Sequence, residues 1–239
     1  ETDSWVTILV HPTSNIQHPT SNIQHPTPNF PYNPGMALAK LGILISGTGS
    51  NMKSIVAACE AGEVPAEVAI VLSNRADAPG LAWAAEHGLA TSMLPHKDFE
   101  SREAHDRAIV ERLREAAVDW VCLAGYMRLL SAPFVEAFPE RILNIHPALL
   151  PSFPGLHGQD QAWEYGVKVS GCTVHLVDLE LDHGPIVEQR TVPVHDDDDA
   201  GRLAARILAQ EHLAYPTALR RLLTETWRLD GRRVHFTSD

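Results

Sequence analysis

A chain of 239 residues, 44% of them hydrophobic, can bury the core of one α/β domain and leave material for a tail. Its formal charge of −11 argues against a dedicated nucleic-acid binder, which presents a basic face. Cys59, Cys122 and Cys172 stand far apart without CxxC spacing, which excludes a disulfide framework and fits a reducing, cytoplasmic compartment.

Residues 1–35 differ from the rest. The unit HPTSNIQ runs from His11 to Gln17 and again from His18 to Gln24. Pro12, Pro19 and Pro26 forbid a continuous helix, and few apolar side chains are present to offset ordering entropy. The segment reads as a disordered tail, with Met36 as a candidate start of a functional domain over residues 36–239. The N-terminus carries neither the basic start nor the apolar stretch of a secretory signal. No run approaches the roughly 18 apolar residues of a membrane helix, so no membrane association is expected.

From Leu41 the texture changes. LGILISG is a short apolar run ending in glycine, and NMKSIVAACEAG follows with helical spacing and Gly62 at its end. AEVAIVLSN is a second strand candidate, Ala78–His87 a helix and ATSMLP a third, weaker strand. Ser101–Ala117 is a long helix candidate with Ile109, Val110 and Leu113 on one side. DWVCLAGY and RILNIHP supply a fourth and a fifth strand. This alternation predicts an α/β fold: an open, mostly parallel, Rossmann-like sheet flanked by helices. After His157, VSGCTVHLVD and GPIVEQRTVPV read as longer antiparallel strands. Ala200–Leu223 reads as a closing helix whose start is favoured by Asp196–Asp199. Glu225–Asp239 is compatible with a short strand or a frayed end.

Two stretches carry chemistry. ISGTGSN, Ile45 to Asn51, joins the first strand to the first helix. Glycines there let backbone N–H groups approach an anion, and a helix N-terminus favours negative charge. The stretch is neither GxGxxG nor a P-loop, and a plain turn with Ser50 or Asn51 as helix cap explains it equally well. The second stretch is RILNIHP. Residues two apart on a strand point the same way, so Asn144 and His146 face one cavity at the carboxyl end of the fifth strand, where open α/β sheets place ligands. An amide can donate to a developing oxyanion, and an imidazole can move a proton near neutral pH. Asp182, in LELDHGP, is a candidate to orient and charge that imidazole. No GxSxG is present, which disfavours a covalent serine mechanism. The 13 histidines include no HExxH and no close His/Cys pair, so no metal is expected.

With these residues in place, the chain resembles the phosphoribosylglycinamide formyltransferase family, folate-dependent enzymes of purine synthesis. The matching segments are LISGTGSNMKSIV, VLSNRADAPGL, SREAHDR, LAGYMRLLSAPFV, RILNIHPALLPSFPGLHG, GCTVHLVDLELDHGPIVEQ and AQEHLAYP, in order from Leu41 to about Leu223. The resemblance implies that Asn144, His146 and Asp182 are catalytic. It implies that Gly49, Ser50, Asn51 and Glu211 bind glycinamide ribonucleotide. It further implies that Arg102, Met127, Arg128, Leu129 and Leu130 bind 10-formyltetrahydrofolate, the co-substrate. Phosphate binding then falls to the N-terminal half, and folate binding and catalysis to the C-terminal half. By pattern alone Arg102 would be a solvated helix charge, Met127 and Leu129 core residues and Glu211 an exposed carboxylate. His183 fills the variable slot beside Asp182, either adding charge to the site or facing solvent. A hydrolase of the same co-substrate would use the same trio with water as nucleophile. A nucleotide-binding protein without transfer chemistry is the alternative from another class. A homodimer is left open by the sequence.

Overall fold

The structure, a computed structural model, describes residues 38–237; the seven-residue repeats and Met36 lie outside them. Nine strands form one sheet: β1 (Ala39–Ile45), β2 (Ala66–Ser73), β3 (Thr91–Met93), β4 (Trp120–Leu123), β5 (Ile142–His146), β6 (Val169–Leu176), β7 (Ile186–Pro193), β8 (Thr226–Asp230) and β9 (Arg233–Thr237). Their spatial order is β3-β2-β1-β4-β5-β6-β7-β9-β8. The first five are parallel, and β6 and β7 run antiparallel to their preceding neighbours. The helices are α1 (Ser50–Glu60), α2 (Pro79–Glu86), α3 (Arg102–Glu115), α4 (Ala132–Ala137), α5 (Gly158–Tyr165) and α6 (Ala200–Thr224).

The central strands β1, β4, β5 and β6 are buried on both faces over most of their length, which is why they read as continuous apolar runs rather than alternating ones. Ile43 and Ile45 of β1 pack into a cluster with Ile55 of α1 and Leu219 of α6, whereas Leu44 packs into a second cluster with Leu113 of α3 and Phe134 of α4. The sheet therefore separates an α1/α6 layer from an α3/α4 layer. Tyr215 of α6 is fully buried, and its hydroxyl donates to the Leu143 carbonyl at 3.0 Å. That bond satisfies the one polar atom of an otherwise apolar anchor.

The predicted strands and long helices are present. Two short helices, α4 and α5, stand where the sequence suggested no element, and the C-terminal segment is a β8/β9 hairpin. The helix-start reading of Asp196–Asp199 holds at Asp199, whose side chain accepts the Arg202 N–H at 2.7 Å. From β1 the chain moves outward to β2 and β3, then returns to place β4 on the other side of β1. The carboxyl ends of β1 and β4 are thus the topological switch point, where crevices open in such sheets.

Candidate active site

Strand register assembles the site. Across the sheet Leu44 lies beside Leu123, Leu123 beside Asn144, and Asn144 beside His175. The glycine loop after β1, the loop after β4 and the Asn144–His146 pair on β5 therefore meet at one sheet edge.

Asn144, His146 and Asp182 converge. The His146 and Asp182 side chains are 4% and 8% exposed, and His146 Nδ1 lies 3.3 Å from Asp182 Oδ2. His146 Nε2 donates to the Phe153 carbonyl at 2.8 Å. Both ring nitrogens face groups that only accept, so the surroundings are built to hold a proton on each. Burial pushes the other way and lowers the imidazole pKa; the Asp182 charge and the Phe153 carbonyl raise it in part, and His175 adds to the lowering. Burial also opposes the charge on Asp182, yet His175, the Gly155 N–H at 2.7 Å and His146 together hold its carboxyl below the usual range. Asp182 is therefore a carboxylate at neutral pH.

The carboxylate sits on a constrained turn. Asp182 has φ of 50°, a left-handed conformation that aspartate tolerates better than bulky residues. At Gly184 any Cβ would collide with the Leu176 carbonyl, so the turn can press against β6 only with glycine there.

Asn144 is engaged on its amino side. Its Nδ2 lies 3.2 Å from His175 Nε2 and makes a long 3.5 Å contact with Asp182 Oδ1. His175 Nδ1 donates to the Leu176 carbonyl at 2.8 Å, so Nε2 is the ring nitrogen that faces both Asn144 Nδ2 and, at 3.7 Å, Asp182 Oδ1.

The glycine loop follows β1. Gly49 caps α1 with φ of 68°, and no side chain caps the helix, so the expected capping role of Ser50 or Asn51 is not what forms. Ser50 instead opens the helix. Asn51 is buried, and its Nδ2 donates to Glu211 Oε2 at 2.6 Å across 160 residues of sequence. Glu211 is 7% exposed, not the solvated carboxylate that its place on a helix suggests. Burial pushes its pKa up and the Asn51 bond opposes this.

Residues 39–219 match the protein family described as formyl transferase. The chain belongs to the formyl transferase family. A formyl transferase relative in Escherichia coli (strain K12), named phosphoribosylglycinamide formyltransferase, is 45% identical over 190 residues, 80% of this chain and 87% of that protein. The trifunctional purine biosynthetic protein adenosine-3 of Drosophila melanogaster is 47% identical over 189 residues; the match takes 78% of this chain but spans only 14% of that protein's length. Among solved structures, glycinamide ribonucleotide transformylase 1 from Symbiobacterium toebii superposes with a TM-score of 0.83 at 48% identity, covering 84% of this chain and 95% of that one.

In this formyl transferase the loop after β4 carries the residues expected to bind folate. Met127 and Leu129 are 64% and 54% exposed, so they are not core residues. Arg128 and Leu130 are half-buried. Met127 N–H donates to Ser46 Oγ at 2.9 Å, and that hydroxyl donates to Asn74 Oδ1 at 2.6 Å, joining this loop to the ends of β1 and β2. Arg102 is exposed at the start of α3, and its side chain's one hydrogen-bond partner among the described residues is Glu103 at 3.4 Å. His183 is 43% exposed; its Nδ1 pairs with Asp178 at 2.8 Å and its Nε2 lies 3.9 Å from Glu180. His157 pairs with Asp160 at 3.3 Å on the surface.

Sequence reasoning missed His175, the Phe153 carbonyl and the Gly155 N–H. His175 was findable in principle: setting RILNIH antiparallel to CTVHLV in this register places it opposite Asn144. The two backbone groups carry no side-chain signal.

Proposed function

We propose that this chain transfers the formyl group of 10-formyltetrahydrofolate to the primary amine of glycinamide ribonucleotide. The observation that carries the reading is the convergence of Asn144, His146 and Asp182 beside the Gly49–Asn51 loop. The named relatives support the choice of substrates.

The amine nitrogen attacks the formyl carbon, a C–N bond forms and the carbonyl π pair moves to oxygen. Collapse of the tetrahedral intermediate breaks the bond from that carbon to N10 of the folate, and the proton lost by the amine ends on N10. Asn144 supplies an amide N–H to the oxyanion by giving up its long 3.5 Å contact to Asp182, the weaker of its two engagements. His146 responds to the developing charge. Its proton affinity is held down by burial in the free protein and rises when an anion forms beside it. Asp182 keeps the ring oriented and shares in moving the amine proton. Gly49, Ser50 and Asn51 hold the ribonucleotide phosphate through backbone N–H groups, with Glu211 fixing Asn51 behind them.

The Gly49–Asn51 loop favours transfer over hydrolysis of the same donor, because a hydrolase has no use for a phosphate cradle. Folate absorbance followed with and without glycinamide ribonucleotide tests this: strict dependence on the amine is expected, and donor loss without it would identify a hydrolase. Binding of the ribonucleotide with no donor loss at all would leave only a binding protein.

The His146 ring has its own expected result. Its NMR titration midpoint in the free chain lies below the usual value of about 6.5. In Asp182→Asn it falls further, because the carboxylate that favours the imidazolium is gone. A midpoint that rises in the variant would contradict this assignment of the charges.

A further inference from the structure

α3 carries two adjacent titratable residues, His105 and Asp106, whose side chains are 0% and 1% exposed. Burying an imidazole and a carboxylate together is costly unless their bonds are used. Asp106 Oδ2 accepts the Ser131 N–H at 2.6 Å, the bond that closes the loop after β4 where α4 begins. His105 Nε2 donates to the Leu94 carbonyl at 2.9 Å, and its Nδ1 faces Asp106 Oδ1 at 3.6 Å. The first turn of α3 is thereby fixed to the segment after β3, and the carboxylate is aimed at the loop. Near the loop's start, Met127 N–H is held by Ser46 Oγ. The stretch is pinned at both ends by side chains, while Met127 and Leu129 stand exposed between the pins.

Unmet polar valence concentrates in the same place. Of eleven buried side-chain polar atoms without a partner among the described residues, five are His105 Nδ1, Asp106 Oδ1, Tyr126 OH, Arg128 Nε and Ser131 Oγ. All five belong to the anchor or to the loop. His105 Nδ1 and Asp106 Oδ1 face each other across 3.6 Å, which leaves Tyr126 OH, Arg128 Nε and Ser131 Oγ uncompensated, all three on the loop itself, a cost in free energy that points to function rather than to stability.

We propose that Asp106 is a positioning residue, which with His105 holds the Tyr126–Ser131 loop in the shape that receives the formyl donor. This rests on the folate-binding reading of Met127–Leu130. Asp106 touches neither substrate; it acts through the Ser131 N–H.

Two variants remove the same bond from opposite sides. Asp106→Ala deletes the acceptor. Ser131→Pro deletes the donor at a residue whose φ of −82° lies close to the proline value and which precedes a helix, where proline is tolerated. In both, the KM for 10-formyltetrahydrofolate rises about tenfold or more, while the KM for glycinamide ribonucleotide and kcat at saturation stay within about threefold. Amide hydrogen exchange at residues 126–130 quickens in both, with residues 142–146 unchanged. Equal rises in both KM values, or a fall in kcat at unchanged donor KM, overturn the proposal. If Asp106→Ala does not fold, Ser131→Pro decides alone. Failure of the functional reading shows separately, as a wild-type chain that transfers no formyl group; failure of the anchor shows as loop exchange unaltered in the variants.

Discussion

Asp182→Asn lowers kcat by about 100- to 10,000-fold, the span associated with loss of a positioned proton-transfer group, while the protein folds as before. The replacement is nearly isosteric, and asparagine accepts the left-handed conformation that the 50° φ imposes. Its carboxamide oxygen can still take the Gly155 N–H that Asp182 now accepts at 2.7 Å, so the 153–156 segment keeps its place. What disappears is the negative charge beside His146. The ring then loses the one charge that favours its protonated form, just where a developing oxyanion needs that form. KM values for both substrates change little, because Asp182 is spent on the reacting centre and not on phosphate or folate. Steady-state kinetics beside a thermal melt check this: wild-type turnover in a well-folded variant would remove Asp182 from the mechanism.

The parallel half of the fold was legible because β1, β4 and β5 are buried on both faces and the first two helices are followed by Gly62 and Gly88. The elements that escaped are those with little apolar signal. α4 has six residues and buries only Phe134, while α5 buries only Gly158 and Ala162. The β8/β9 hairpin did carry a signal, since Asp230-Gly231 separates the apolar positions Trp227 and Leu229 from Val234 and Phe236. In the site, period two on β5 was enough to pair Asn144 with His146. Asp182 stood out only as a candidate, a carboxylate on a Gly-Pro turn, because nothing local says that a turn 36 residues beyond His146 comes back to it; the folate loop was reached through resemblance. Met127 and Leu129 show the limit of pattern reading. An apolar residue in a loop beside a crevice looks like core in a sequence, and only the fold reveals that nothing covers it.

Asn144→Asp separates donation from mere shape. Replacing the amide by alanine removes one N–H donor, which typically costs about 100- to 1,000-fold in rate. The aspartate has the same outline but places a second carboxylate where Nδ2 now stands 3.5 Å from Asp182 Oδ1. Two like charges at that distance, both largely buried, cannot both ionise cheaply, so the pair shares a proton and one pKa rises. When ionised, the new group repels the oxyanion it replaced a donor for. Asn144→Asp is therefore slower than Asn144→Ala at pH 7 and above. The sign reverses on acidification: protonating the pair turns a repelling carboxylate into a donating carboxyl, so the aspartate variant gains on the alanine variant as pH falls. A pH–rate comparison of the two reads this directly. Identical profiles would mean that the Asn144 side chain never meets the reacting oxygen, and the oxyanion role would pass to the imidazolium of His146 alone.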